Sequence, residues 1–221
     1  MFLIRFLVRW TIYFLLITIG WVGLYALVPP PLTATMVMDE NGFNKDWTSI
    51  SQISPHMVRA VIAGEDGKFC SHDGFDGEAI KQAIARNREG GRIRGGSTIS
   101  QQVAKNAFLW QGGGYFRKGP EAYFTFLIET LWSKKRIMEV YLNIAETGIG
   151  TYGVQAGSQR YFRKDAADLN RIQAARMAAA LPQPKKRAVN GASGFTARYG
   201  NTIAARINVV KRYKLDGCIY K

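Results

Sequence analysis

The run SPHMVRAVIAGEDGKFCSHDGFD, residues 54–76, sets an apolar helical stretch directly before four acids, a histidine and three aromatic or sulfur side chains. Ser54-Pro55 is a helix start: serine caps free backbone N–H groups, and proline is favoured at the first helical position. The helix predicted from it runs through MVRAVIAG and stops at Glu65-Asp66-Gly67. A carboxyl group held at a rigid helix end beside apolar residues has a raised pKa and makes a usable general base. Composition alone favours a plainer reading, an acidic turn in which His72 is satisfied locally.

Outward from this stretch the pattern stays helical, broken by glycines. A helix is predicted from about Glu78 to Arg88, with Ile80, Ala83, Ile84 and Asn87 on one side, ending at Gly90-Gly91. Another follows Gly95-Gly96, where Thr98 and Gln101 have the spacing of a capping box, and continues through QQVAKNAFL. Pro120 opens EAYFTFLIETLW, and Ser133 caps KKRIMEVYLNIAE. The Ala-rich segment Arg171 to Leu181 is stopped by Pro182 and Pro184, and a last helix spans roughly Ala197 to Tyr213. A short hairpin is expected between Val37 and Trp47.

Two further segments carry chemistry. GGSTISQQVAKN, residues 95–106, brings a glycine-rich loop into a helix N-terminus, where free N–H groups, Gln101 and Lys105 form a candidate anion site. It lacks the Gly-Lys-Ser/Thr of a phosphate-binding P-loop, and such an opening is often only a turn. In RKGPE, residues 117–121, two cations precede a helix whose first turn holds a carboxylate, an arrangement that simple surface capping also produces.

The amino-terminal end is of another kind. Trp10 to Val28 reads WTIYFLLITIGWVGLYALV, nineteen residues without a charge, which suffices to cross a bilayer. Arg5 and Arg9 precede it and no acid appears before Asp39, so the short arm is expected in the cytoplasm and the rest outside. A cleaved signal peptide competes, although the apolar stretch is long for one and lacks a small-x-small cleavage site.

The 221 residues carry a formal charge of +14, and 47% are hydrophobic. That is too apolar for a disordered basic tail and too short for two large enzymes in tandem. Residues 1–28 hold two arginines and no acid, so +12 remains on the exported part. The charge there points to lipid head groups or a phosphorylated lipid, and away from nucleic acid. Arg86, Arg88, Arg92 and Arg94 are a candidate head-group contact, with a solvated basic face as the simpler alternative. Cys70 and Cys218 are too few for a disulfide scaffold and lack metal-ligand spacing. An oxidising compartment allows them to pair, but they are expected to remain unpaired.

Taken together, EDxxFxxHxGxD, GGSTISQQxxKN and RKxxE, in that order, resemble the signature motifs of the peptidoglycan glycosyltransferases that polymerise lipid II. KRIMEVYLN at 135–143, GTYGVQA at 150–156 and AAALPQP at 178–184 agree with it, and the likeness covers about residues 48–190. The resemblance implies a mainly α, lysozyme-like bilobal domain over residues 47–221. Before it come a cytoplasmic stub (1–9), a transmembrane helix (10–28) and a membrane-proximal linker (29–46). It implies inverting transfer that builds β-1,4-linked glycan and releases undecaprenyl diphosphate, with Glu65 as general base and Glu121 as the second essential carboxylate. Lys105, Arg117 and Lys118 would hold the diphosphate, and Ser97, Thr98, Gln101, Gln102 and Asn106 would face sugar and phosphate. Asp66, Phe69 and His72 would be scaffold.

No cofactor is required on this reading, though a divalent cation, Mg or Mn, beside the diphosphate is compatible with it. Lipid II, the growing glycan, membrane lipids and cell-wall synthesis or division proteins are the implied partners, at an inner membrane with a periplasmic catalytic domain. Neither Ser-x-x-Lys nor Lys-Thr-Gly occurs, so the monofunctional form without a transpeptidase is expected. Where relatives often have another basic residue, this chain has WQGGGYF, residues 110–116. A lytic enzyme, or a non-catalytic membrane assembly factor, is the alternative from another class.

Overall fold

The computed structural model describes residues 1–88, 96–114 and 116–220. Gly90-Gly91, Arg92, Arg94, Gly95 and Tyr115 lie outside these, as do the side chains of Ile84, Arg86, Asn87 and Arg88. Ten α-helices are seen among the described residues: α1 Phe2–Leu27, α2 Ala34–Val37, α3 Pro55–Glu65, α4 Gly77–Arg88, α5 Ile99–Phe108, α6 Lys118–Leu131, α7 Lys134–Ile144, α8 Val154–Phe162, α9 Arg171–Ala180 and α10 Gly194–Arg212. The chain is therefore mainly α, as expected, with one apolar N-terminal helix long enough to cross a membrane.

The local signals read from the sequence fix several helix starts. Ser54 Oγ accepts the His56 N–H to cap α3, and Ser133 caps α7 through the Arg136 N–H. At α5 the box closes in both directions: Thr98 Oγ1 accepts from the Gln101 N–H, and Gln101 Oε1 accepts from the Thr98 N–H. A second box, Asn170 with Gln173, starts α9. Helix α6 begins at Lys118, two residues before Pro120; the N–H that proline lacks is not missed there, because the first four donors of a helix have no partner within it.

Two packed groups of helices carry the core. Helix α3 lies against α9 and α10, where buried Ala174, Ala175 and Ala178 to Ala180 let the backbones approach. Helix α5 packs against α6 and α7, and α1 against α6. One cluster of buried apolar side chains runs through both groups, from Val22 to Ile219.

The hairpin expected between Val37 and Trp47 does not form. Instead α2 occupies Ala34–Val37, and β1, Asn44–Lys45, pairs in parallel with β3, Thr151–Tyr152. Strand β2, Glu146–Gly148, pairs antiparallel with β3. The strand thus finds its partner about a hundred residues away, which no local pattern could reveal. Gly153, at φ +85°, joins β3 to α8; a Cβ there would lie 2.9 Å from the Asn143 carbonyl oxygen, so the turn requires glycine.

Cys70 and Cys218 form a disulfide, with Cα atoms 5.5 Å apart. This corrects the unpaired expectation, which rested on cysteine count; the pairing is made by the chain after α10 folding back beside α3.

Helix α1 starts at Phe2, so the residues before Trp10 continue the same helix. Most of its surface is exposed, but its second half docks on the domain, burying Thr18 and Val22. Thr18 Oγ1 and the Tyr123 hydroxyl are 2.7 Å apart, and Trp132 Nε1 donates to the Val22 carbonyl at 2.9 Å. The Arg136 guanidinium donates to the carbonyls of Tyr25 and Val28, satisfying acceptors that a helix end leaves free.

Candidate active site

Glu65 ends α3, and the backbone leaves the helix at Asp66. Asp66 is buried and ties two motifs together. Its carboxylate accepts the Ile99 N–H, at the start of α5, at 3.0 Å, and His72 Nε2 at 3.0 Å. The Gly74 N–H donates to His72 Nδ1, so Nε2 carries the proton and donates to Asp66. Phe69 is fully buried, with Lys134 Nζ 4.8 Å from its ring centre. All three side chains are engaged in packing or in contacts that join the loop after α3 to α5 and α7.

Because Asp66 anchors α5, the side chains of α5 face Glu65. Gln102 Nε2 donates to Glu65 Oε2 at 2.9 Å, and Tyr141 from α7 holds Gln102 Oε1 at 3.4 Å. Glu65 Oε1 is buried and has no hydrogen-bond partner among the described residues. Burial pushes the Glu65 carboxyl up from its ordinary pKa, and the neighbouring Asp66 charge adds to this; Gln102, Arg187 and Lys105 oppose it. The outcome is a carboxyl group with one oxygen held and one available, biased toward taking a proton.

The cationic part of the site comes from α5 and the start of α6. Burial lowers the Lys105 pKa, as do the charges of Arg117 and Lys118, against the pull of Glu121 and Glu65. Glu121 is buried, with one oxygen paired to Arg117 Nη1 and the other to Lys118 Nζ at 2.5 Å. Lys118 Nζ also lies 3.4 Å from Ser97 Oγ, and Arg117 Nε donates to the Gly112 carbonyl at 2.7 Å. Glu121 is therefore a buried anchor for both cations.

A cleft of about 840 Å³ brings together Glu65, Ser97, Gln101, Gln102, Lys105, Arg117, Lys118 and Glu121. Two predicted site residues stand apart from it. Thr98 is buried and spent on the capping box and on the Gly74 carbonyl, to which it donates at 2.7 Å; Asn106 Oδ1 accepts from Gln111. Gln101 lines the wall while its amide oxygen is committed to the cap. Among the described residues no group of three or more His, Cys, Asp or Glu side chains is placed to hold a metal. Both Glu121 oxygens are engaged by Arg117 and Lys118.

Sequence reading missed the opposite wall. Arg187 follows α9, and Phe195, Tyr199, Thr202 and Arg206 form one face of α10. Phe195 and Tyr199 stack at 5.7 Å, the Arg187 guanidinium lies 5.2 Å from the Phe195 ring, and the Tyr199 hydroxyl donates to the Gly64 carbonyl at 2.5 Å. The helical spacing of these four α10 residues was a usable signal. No motif drew attention to it.

A family model described as Transglycosylase matches residues 32–210. The chain is 49% identical over 199 residues to a biosynthetic peptidoglycan transglycosylase of Caulobacter vibrioides, covering 89% of this chain and 87% of that one. It is 50% identical over 205 residues to the protein of the same name from Escherichia coli O127:H6, covering 88% and 85%. A Pseudomonas aeruginosa protein of that name is 49% identical over 193 residues, 83% of either chain.

Proposed function

The chain belongs to the transglycosylase family, and from that premise we propose that it polymerises lipid II into the β-1,4-linked glycan of peptidoglycan. The observation that carries this reading is the cleft itself: a buried carboxyl group with one unpartnered oxygen shares it with Lys105, Arg117 and Lys118.

Glu65 takes the proton of the acceptor GlcNAc 4-hydroxyl as that oxygen attacks the anomeric carbon of the donor MurNAc from the face opposite the leaving group. A C–O bond forms, the bond from the anomeric carbon to the diphosphate breaks, and configuration inverts. Undecaprenyl diphosphate leaves with the bonding electron pair. A diphosphate is already a good leaving group, so fixed cations do the work for which a glycosidase needs a second, protonated carboxyl. Glu121 fits this division of labour, since its oxygens are occupied by Arg117 and Lys118. The reading needs no cofactor.

The assay is direct: purified lipid II is supplied to the full chain in detergent. Growing glycan with stoichiometric undecaprenyl diphosphate is expected. Breakdown of existing glycan with no use of lipid II would point to a lytic enzyme instead.

Membrane topology follows from α1 and its flanking charge. The helix is apolar over a membrane-crossing length, and its only cations, Arg5 and Arg9, lie near the start. We infer an inner-membrane protein with a cytoplasmic N-terminus and a periplasmic catalytic domain, working among membrane lipids and cell-wall synthesis and division proteins. A C-terminal fusion reporter should be active only outside the cytoplasm; cytoplasmic activity alone reverses the assignment.

A further inference from the structure

The chain after α10 lies beyond residue 210, where the family match ends, yet it is tied to the domain by an ion pair, a ring contact and a disulfide. Asp216 Oδ2 accepts from Arg59 Nε at 2.7 Å, with both side chains largely buried. The Tyr220 ring centre lies 5.5 Å from the Arg59 guanidinium, Ile219 is buried, and Cys218 is bonded to Cys70. Arg59 sits on α3 less than two turns before Glu65, and Cys70 sits five residues after it.

We propose that the tail, residues 213–220, is a clamp that positions Glu65 from both sides, through the Arg59–Asp216 ion pair before it and the Cys70–Cys218 disulfide after it. The inference rests on the reading of Glu65 as general base. Cys70, Cys218 and Asp216 are positioning residues: none lines the cleft, and each acts through α3 or the loop that leaves it.

A clamp has a physical task here. Ionised Glu65 is drawn toward water, and it is held by a single side-chain hydrogen bond, from Gln102 to Oε2. The cost of keeping a carboxylate buried must be met by surroundings that do not yield. On the α5 side Asp66 supplies that through the Ile99 N–H and His72. The tail supplies it on the far side, with one ion pair and one covalent bond. A loosened loop would admit water to Oε1 and misplace the base, and displacement of about 1 Å at a reacting group costs up to 10²-fold in rate.

The test compares the full disulfide-bonded chain in detergent, with lipid II as substrate, to the same chain reduced by a dithiol and to the double variant Cys70→Ala/Cys218→Ala. Expected on opening the disulfide is a kcat lowered about tenfold with KM within twofold. The acid limb of the kcat profile should also move to lower pH as Glu65 becomes wetter. The groups facing Glu65 are Asp66 at the end of α3, Gln102 and Lys105 of α5, Tyr141 of α7, Arg187 after α9 and Tyr199 of α10. None of them is altered by this change. Asp216→Asn, with the disulfide intact, should fall between the two states.

Should the double variant not fold, reduction of the folded wild type supplies the same comparison, with thiol titration reporting two free cysteines. An active wild type whose reduced form keeps its kcat and acid limb overturns the clamp alone. So does a loss of kcat that merely tracks the fraction unfolded while the acid limb stays in place. A disulfide-bonded wild type that releases no polyprenyl diphosphate overturns the reading of Glu65 as well, and the clamp with it.

Discussion

Glu65 sits where a carboxylate is worst solvated and best used. Burial raises its pKa in the folded chain, so folding favours the protonated form. The stabilisation this provides is complete below the unfolded pKa of a glutamate and is lost as pH rises through the higher folded value. At neutral pH the ionised side chain is therefore a burden on the fold, a cost that fits its proposed use as a base. Glu65→Gln separates the two effects. Turnover of lipid II should fall about 10²- to 10⁴-fold, the usual range for loss of a general base. The melting temperature at neutral pH should equal or exceed that of the wild type, with any gain vanishing in acid. Turnover near the wild-type rate, or a lower neutral melting temperature, contradicts this account of the residue.

At the scale of elements, what could be read in the sequence was what depends on near neighbours. Ser54-Pro55 and the Thr98–Gln101 box are signals completed within four residues, and the helices they start are found as expected. The β1–β3 pairing joins Asn44–Lys45 to Thr151–Tyr152, and the disulfide spans 148 residues. Neither leaves a trace in any short window, so a hairpin was expected in place of the first and free cysteines in place of the second. The site divides in the same way. Composition alone left Glu65 in an acidic turn, and it was the order of three motifs that singled out Glu65, Lys105 and Arg117 as members of one cleft. Thr98 shows the limit of motif reading: a residue can hold its place in a pattern because it caps the helix that carries Gln102 and Lys105, without lining the cleft itself. The α10 wall was missed because a helix face of Phe195, Tyr199, Thr202 and Arg206 reads equally well as ordinary packing.

For the molecule as a whole, the anchor and the enzyme are one packed object. The last third of α1 lays Trp21 edge-on to Phe108 at 5.2 Å and to Phe124 at 6.2 Å, while Phe108 and Phe124 stack at 4.8 Å. Trp132 and Arg136 spend their N–H groups on carbonyls of the same helix. A flexible tether would leave none of these contacts. Cutting the chain before Pro29 therefore removes more than a membrane address. It exposes the stacked aromatics, leaves the Trp132 indole N–H without its acceptor and takes from Arg136 two of its carbonyl partners. Exposed aromatic clusters of this kind drive association, and each hydrogen bond lost, with its donor now open to solvent, costs about 0.5–1.5 kcal/mol. Residues 29–221 are accordingly expected to need detergent for monodispersity and to melt at least several degrees below the full chain, at about 2–4 °C per kcal/mol for a domain of this size. Size-exclusion chromatography and thermal unfolding in one detergent check both. A truncated chain that is monodisperse in plain buffer, and melts with the full-length protein, would mean that the helix merely tethers the domain.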